Sequence, residues 1–353
     1  MEEKYYISKK CDVLVKNERV ILYNIYTGET VKLSKECWNI INENLKNGYS
    51  VSEICNAMEE DCDRDYFLKL FDVLIKMKLV TSKNEIQEKE QIENIDFAIT
   101  HRCNLHCIHC CVDASFIDDK DLLSTEDIFE ISDKLIKVNP KIIVITGGEP
   151  MIRKDFMKIV SYIKKRYTGK LILMTNGLLI NEKNVATLVE YFDYFNISID
   201  GYDEESCSKI RGKGVFNNVI KNIELIKKSG FNSKHISLSM VKTSINSSGI
   251  NLFFELNDKL GTQSVVRVFN PIGRGKDNSD ILMGKELIES NEAEFEKPKR
   301  LPRAQTCAAG SRKLAINYDG SIYPCMLLDM SDYKIGNIME IVLPPSQPDF
   351  CLT

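Results

Sequence analysis

No stretch of this sequence approaches the ~18 consecutive apolar residues that a membrane-spanning helix needs. Its start, Met1-Glu2-Glu3-Lys4-Tyr5-Tyr6, places no apolar run behind a basic one, so no secretory signal is read there. Lys and Arg number 47 against 51 Asp and Glu, and the two signs are interspersed. The net charge of −4 comes with no basic stripe and no polybasic cluster. Neither nucleic acid nor a membrane surface is therefore expected as a partner. Internal repeats and low-complexity tracts are also missing. The expected location is cytoplasmic.

What is present is an ordinary globular composition. The chain has 353 residues, 43% hydrophobic and 28% charged, enough for one sizeable core and one or two small domains. It has 12 cysteines. In a reducing compartment a disulfide framework is not expected, so clustered cysteines read as metal binding or catalysis. Cys103, Cys107, Cys110 and Cys111 crowd together, and Cys307 and Cys325 form a looser pair. The dispersed cysteines read as small buried apolar residues.

Residues 1–81 read as a small winged-helix-like domain. Asp12–Lys16, Arg19–Asn24 and Glu29–Leu33 have strand character, with Thr27-Gly28 as a turn. Helical patterns follow near Lys35–Leu45, near Val51–Met58 with Ser52 at its start, and near Tyr66–Leu79. Residues 82–94 are charged, lack an apolar face and read as a linker. From Ile95 short apolar strands alternate with amphipathic helices. The strands are Ile95–Thr100, Ile142–Thr146, Leu171–Thr175, Phe195–Ile199, Ile236–Val241 and Ser264–Phe269. Among the helices, Thr125–Val138 is opened by Ser124 with Asp127 three residues on, a capping box. Others are expected near Asp155–Arg166, Glu182–Phe192, Phe216–Lys228 and Ile250–Lys259. Six strand–helix units require a parallel sheet with right-handed crossovers. The fold class is α/β. Six units fall short of an eight-unit barrel, so residues 95–275 are expected to form a partial (βα)6 TIM-like barrel, with a doubly wound open sheet as the alternative. Residues 276–353 form a cysteine-containing C-terminal extension.

The strongest chemical signal is Cys103-Asn-Leu-His-Cys107-Ile-His-Cys110, in the loop after the first barrel strand. Iron–sulfur clusters are usually held by four thiolates. Three in one loop leave one iron open to chelation by a small molecule. A structural zinc site, with His106 or His109 as a fourth ligand, is the competing reading. The remaining motifs sit at successive strand ends, where open parallel folds collect ligand groups. They are Gly147-Gly148-Glu149-Pro150, Thr175-Asn176-Gly177, Ser198-Ile-Asp200-Gly201, and Arg211 in a loop before a helix. Singly each reads as a turn or a surface charge. Paired glycines admit close backbone approach to a ligand, a carboxylate suits an ammonium group, and Arg suits a carboxylate.

In this order on βα units, CxxxCxxC, GGEP, the Ser-x-Asp strand and the Arg-Gly loop resemble the radical S-adenosylmethionine (SAM) superfamily over about Ile95–Gly275. The resemblance implies that Cys103, Cys107 and Cys110 bind a [4Fe–4S] cluster whose fourth iron is chelated by SAM. It implies that Gly147, Gly148 and Glu149 hold the SAM amino group, and that Ser198, Asp200 and Arg211 contact its ribose and carboxylate. His109 stands where many members carry an aromatic residue and would pack on adenine. The implied chemistry is reductive cleavage of SAM to a 5′-deoxyadenosyl radical that abstracts hydrogen. An electron donor such as a ferredoxin or flavodoxin is implied as well.

Two flanking features narrow the branch. Cys307, then Gly320-Ser-Ile-Tyr-Pro-Cys325 after a hairpin turn at Asp319-Gly320, resembles the opening of a SPASM or twitch extension. Asn270-Pro-Ile-Gly-Arg-Gly275 fits the same group. Cys307 and Cys325 are thus candidate ligands of an auxiliary iron–sulfur cluster. The further run of cysteines in a full SPASM domain is reduced to Cys351, so the extension reads as truncated. Residues 12–80 resemble the peptide-recognition domain of ribosomal-peptide maturases, similar to the peptide chaperone of pyrroloquinoline quinone biosynthesis. A short sheet with a free edge accepts an extended leader peptide as an added strand. The expected function is crosslinking of a ribosomally made precursor peptide, by a thioether or a carbon–carbon bond. The alternatives are a radical SAM maturase of the sulfatase or tetrapyrrole type, a zinc-binding interaction protein, and a non-catalytic peptide carrier.

Overall fold

The structure, a computed structural model, describes residues 4–16, 18–24, 27–82, 92–114, 120–290 and 307–341. Most of the expected linker, and Cys351, lie outside these. The chain divides into two compact units, with the divisions after Glu88, Ala293 and Cys307.

The first unit opens with β1 (Tyr5–Ile7), β2 (Cys11–Lys16), β3 (Arg19–Asn24) and β4 (Thr30–Ser34). Helices α1 (Lys35–Lys46), α2 (Val51–Asn56) and α3 (Asp61–Lys76) follow, then β5 (Val80–Ser82). Strands β2, β3 and β4 form an antiparallel sheet with β3 in the middle. The alternation of Val20 and Leu22 on β3 turns one face onto Trp38, Ile41 and Leu45 of α1 and Phe67, Phe71 and Leu74 of α3. Two expectations need correction. The cap of α2 is Ser50, not Ser52, because Ser50 and Glu53 close a capping box. Helix α3 starts at Asp61 and stops before Lys78, whose left-handed φ of 54° redirects the chain into β5. There β5 pairs antiparallel with β1.

The second unit runs β6 (Asn94–Ala98), α4 (Thr125–Val138), β7 (Ile142–Thr146), α5 (Phe156–Lys164), β8 (Lys170–Thr175), α6 (Val185–Tyr191) and β9 (Tyr194–Ser198). Helices α7 (Glu204–Arg211) and α8 (Val215–Lys228) precede β10 (Ile236–Lys242), which is followed by α9 (Ile250–Leu260) and β11 (Gln263–Val268). Then come α10 (Arg274–Asp277) and α11 (Ser279–Ser290, broken at Gly284). Strands β12 (Lys313–Ile316), β13 (Ser321–Tyr323) and β14 (Gly336–Asn337) close the order.

Strands β6 to β11 are parallel and lie side by side in chain order. This decides between the two expected architectures. A doubly wound sheet reverses its strand order at a switch point. Here the order never reverses, so right-handed crossovers place the helices on one face and the sheet curves into a partial barrel. Period-two burial follows. Leu171, Leu173, Phe195, Ile197, Ile236 and Leu238 are buried in the core with Ile128, Ile131 and Leu135 of α4. The intervening Ile172, Met174, Asn196 and Ser198 are only half-buried and look into the concave face.

The sheet is wider than six strands. β12 pairs in parallel with β6 on the side away from β7, Lys313 reaches Asp96 at 2.7 Å, and β13 and β14 continue antiparallel. The expected hairpin turn at Asp319-Gly320 is present, with Gly320 at φ 82°. Among the described residues no helix is long and apolar enough to cross a membrane.

Phe195 is fully enclosed in the second unit's core. Phe195→Ala is expected to destabilise that unit by about 3–5 kcal/mol. Trp38, the single tryptophan, lies in the first unit's core. Urea unfolding should therefore show an earlier transition by circular dichroism, with the tryptophan fluorescence transition unmoved. A joint shift of both would mean that the units unfold as one.

Candidate active site at the strand ends

The cysteine loop leaves the end of β6. Cys103 and Cys107 are buried and Cys110 is half-buried. Each sulfur is approached by an N–H donor. Leu105 N stands 3.4 Å from Cys103 Sγ, Ala114 N 3.4 Å from Cys110 Sγ, and Arg211 Nη1 3.8 Å from Cys107 Sγ. Burial pushes the Cys103 thiol up to about 12, with Glu149, Cys107 and Cys110 adding to it against the Leu105 N–H. Burial likewise raises Cys107, against the charge of Arg211. Thiolates in this setting need a cationic group among them, and the N–H donors are already aimed as they are around cluster thiolates. The donor set therefore fits an iron–sulfur cluster. His106 is exposed, and His109 commits its Nε2 to Asp200 at 2.9 Å, so neither is placed as the fourth ligand that zinc would ask for. Cys111 is exposed, while Cys207 is buried and donates to Ile199 O.

The glycines of GGEP make a close approach to the backbone of the cysteine loop. Gly147 has φ 138°, and a Cβ there would meet Thr100 O at 2.2 Å. A Cβ on Gly148 would meet Arg102 O at 2.3 Å. Gly148 N donates to Thr100 O at 2.9 Å and Glu149 N to Arg102 O at 2.8 Å. The close approach is thus to the backbone of the cysteine loop, which it aligns. Glu149 has no exposed surface. Its carboxylate accepts from Thr175 Oγ1 at 2.9 Å, Asn176 N at 2.8 Å and Met151 N at 3.1 Å. The loops after β6, β7 and β8 are joined through this one residue.

Asp200 follows β9 with a left-handed φ of 54°, a conformation Asp tolerates better than most residues. Its buried carboxylate accepts from Arg211 Nε at 2.5 Å, from His109 Nε2 and from Val241 N. Burial alone would raise it, but Arg211 and His109 outweigh burial and hold it well below the usual carboxylate range. Arg211 is not in a loop. It is the last residue of α7, a helix capped by Asp203 and Ser206. Its sequence shows no helical period because its only apolar residues are Cys207 and Ile210, both buried. Ser198 ends β9, half-buried and paired with Ser239 across to β10. The structure thus brings Cys103, Cys107, Glu149, Asp200 and Arg211 together.

Sequence reasoning missed Arg274 as a part of this site. It is buried, donates to Cys107 O at 3.1 Å and Ala114 O at 2.6 Å, and pairs with Asp113 at 2.9 Å. A Cβ on Gly273 would meet Cys111 O at 2.5 Å. The Asn270–Gly275 motif is therefore a clamp on the far side of the cysteine loop. Two buried polar atoms near the strand ends, His109 Nδ1 and Asn196 Oδ1, have no hydrogen-bond partner among the described residues. Such atoms ordinarily find one in a ligand or water.

Residues 97–247 match the family model of the radical SAM superfamily. Residues 307–343, with Cys307 and Cys325, match the SPASM iron–sulfur cluster-binding domain. The cofactors are therefore a [4Fe–4S] cluster and SAM in the barrel, with auxiliary iron–sulfur binding assigned to the extension. The mycofactocin maturase MftC of Mycolicibacterium smegmatis is 27% identical over 268 residues, 70% of this chain and 67% of that protein. The GTP 3′,8-cyclase of Synechocystis sp. is 32% identical over 168 residues, 46% of this chain and 51% of that protein. In fold, Streptococcus suis SuiB, solved with its precursor peptide SuiA, matches with a TM-score of 0.57 at 16% identity, over 99% of this chain and 89% of that one.

Burial raises the Glu149 carboxyl to about 7 from an ordinary 4.5, against its hydrogen bonds from Asn176, Thr175 and Met151. The native state then holds this proton more tightly than the unfolded chain does. The stability it contributes is full below the unfolded value and is lost as pH rises through about 7. Urea unfolding of the metal-free chain across that window should lose this slope in Glu149→Gln. The same slope in the variant would assign the titration to another group.

Proposed function

We propose that the chain modifies a ribosomally made precursor peptide, joining a cysteine sulfur or a carbon of the peptide to another of its carbons. The single observation that carries this is the joining of a radical SAM barrel to an N-terminal unit whose sheet has two outer strands. Among the described residues β2 and β4 each pair only with β3, leaving an edge on which an extended leader can add a strand. Two likenesses support it. MftC is a maturase by name, and SuiB shares the fold over both units and was solved with a precursor peptide.

With the cluster and SAM bound, the site supplies a 5′-deoxyadenosyl radical able to take hydrogen from an unactivated C–H bond. The chain's own residues do the rest. Cys103, Cys107 and Cys110 hold the cluster, and Gly147, Gly148 and Glu149 fix the loop against which the SAM amino group lies. Arg211, set by Asp200, faces the carboxylate, and Ser198 and Asn196 face the ribose side from the concave surface. His109 packs on the adenine. The open side of the sheet admits the peptide while the helical side stays dry. Cys307 and Cys325 bind the auxiliary cluster. A ferredoxin or flavodoxin supplies the electron, in the cytoplasm.

The cyclase likeness favours a second reading, chemistry on a small molecule, but it covers 46% of the chain. The test separates the two. Chain reconstituted anaerobically with iron and sulfide should release 5′-deoxyadenosine from SAM under a strong reductant, and Cys107→Ala should release none. Precursor peptides encoded beside the gene should bind the full chain, and should lose most of that binding when residues 1–82 are deleted. Turnover without any leader binding would move the assignment to a small substrate.

A further inference from the structure

Arg211 faces two ways. Its Nε is on the Asp200 carboxylate at 2.5 Å and its Nη1 is 3.8 Å from Cys107 Sγ. Both side chains are enclosed, at 10% and 1% exposure. The guanidinium has little room to turn away. Ile108 N donates to Ile210 O at 3.1 Å, which ties the end of α7 to the cysteine loop between two of its thiols. Behind it, the Asp200 carboxylate is fixed by His109 Nε2 and Val241 N, and the Asp200 carbonyl accepts from Asn246 Nδ2 at 3.2 Å. A fixed dipole results, with its positive end on a thiol of the cysteine loop and its negative end one residue further back.

An electron entering an iron–sulfur cluster adds negative charge to it. Hydrogen bonds to the ligand sulfurs and fixed positive charge nearby favour that state and raise the reduction potential. Cys103 and Cys110 receive backbone N–H donors, and Cys103 also lies 4.0 Å from the neutral amide of Asn176. Among the described residues, Cys107 is the one of the three thiols whose donor is a charged side chain. We propose that the Arg211–Asp200 pair sets the reduction potential of the cluster, Arg211 acting through the Cys107 sulfur and Asp200 acting as the residue that positions and partly offsets the guanidinium. This rests on the reading of Cys103, Cys107 and Cys110 as the cluster's ligands.

The test uses the full chain in a Cys325→Ala background, so that only the barrel cluster reports. The chain is reconstituted with iron and sulfide and titrated with dithionite as one-electron reductant, without SAM or peptide. Iron content is measured, and the reduced cluster is followed by electron paramagnetic resonance. Arg211→Met should hold its cluster and shift the midpoint to more negative potential. Arg211→Lys should fall between it and the parent, and Asp200→Asn should shift the midpoint to more positive potential. Unmoved midpoints, or shifts of one sign in Arg211→Met and Asp200→Asn, overturn the proposal. Cys107→Ala tests the ligand reading separately. If it keeps its full iron, the ligand reading fails whatever the potentials do.

Should the Arg211 variants not hold a cluster, the parent chain labelled with ¹⁵N-arginine gives a second measurement. Its reduced cluster should show weak coupling to an arginine nitrogen, and the coupling should persist in Arg274→Lys. No such coupling in the parent, or its loss in Arg274→Lys, overturns the proposal.

Discussion

Glu149 is a carboxylate with no contact with solvent, and three strand ends depend on it. Its own N–H holds the loop that follows β6. Its carboxylate gathers the loop that follows β8 through Thr175 and Asn176. A buried carboxylate is tolerated only when its lone pairs are taken. Each donor is a constraint on where the neighbouring loop runs, and the cysteine loop inherits its position from this arrangement. The two glycines before it complete the constraint, since any side chain there would collide with backbone oxygens. Asp200 plays the corresponding part on the other side, where it fixes His109 and Arg211 against Cys107. The site is thus held by two enclosed acids, one near neutral charge balance and one firmly ionised by its neighbours.

Much of this was legible in the sequence, for local reasons. The spacing of Cys103, Cys107 and Cys110 and the six barrel strands are written in short windows. So is α4, whose Ser124–Asp127 capping box and stripe of Ile128, Ile131, Leu135 and Val138 appear as read. What escaped was long-range or weakly periodic. The pairing of β1 with β5 joins three-residue strands from opposite ends of the first unit. The attachment of β12 beside β6 leaves no local trace, because a parallel register between residues so distant has no turn to announce it. Helix α7 is too polar to show a stripe, so the sequence predicts a loop at Arg211. The glycines of GGEP read as close-approach residues, and the fold adds a neighbour the sequence does not announce, the backbone of the cysteine loop. Arg274 was in view as part of a motif, yet only the fold shows that its side chain is spent on the cysteine loop.

The first unit follows a different logic. Its small core around Trp38, Phe67 and Phe71 is enclosed by helices on one face of a three-stranded sheet. Helix α3 begins with Asp61 and Asp63, and its apolar stripe of Phe67, Leu70, Phe71 and Leu74 is turned inward. Among the described residues the unit's sheet leaves backbone edges at β2 and β4, and edges of this kind select extended chain by geometry before side chain.

The placement of β12 also bears on how the chain is made. Glu93, at the start of β6, and Arg312, before β12, are 219 positions apart and meet as an ion pair. At a synthesis rate of roughly 5–20 residues per second, β6 waits roughly 10–40 s before that neighbour exists. Throughout this interval the strand from which the cysteine loop springs has one row of hydrogen-bonding groups uncovered, and the loop's base is held from one side only. The ribosome must therefore deliver the chain as far as β12 before that base is braced on both flanks, so maturation of the centre waits on a strand encoded far downstream of the cysteines.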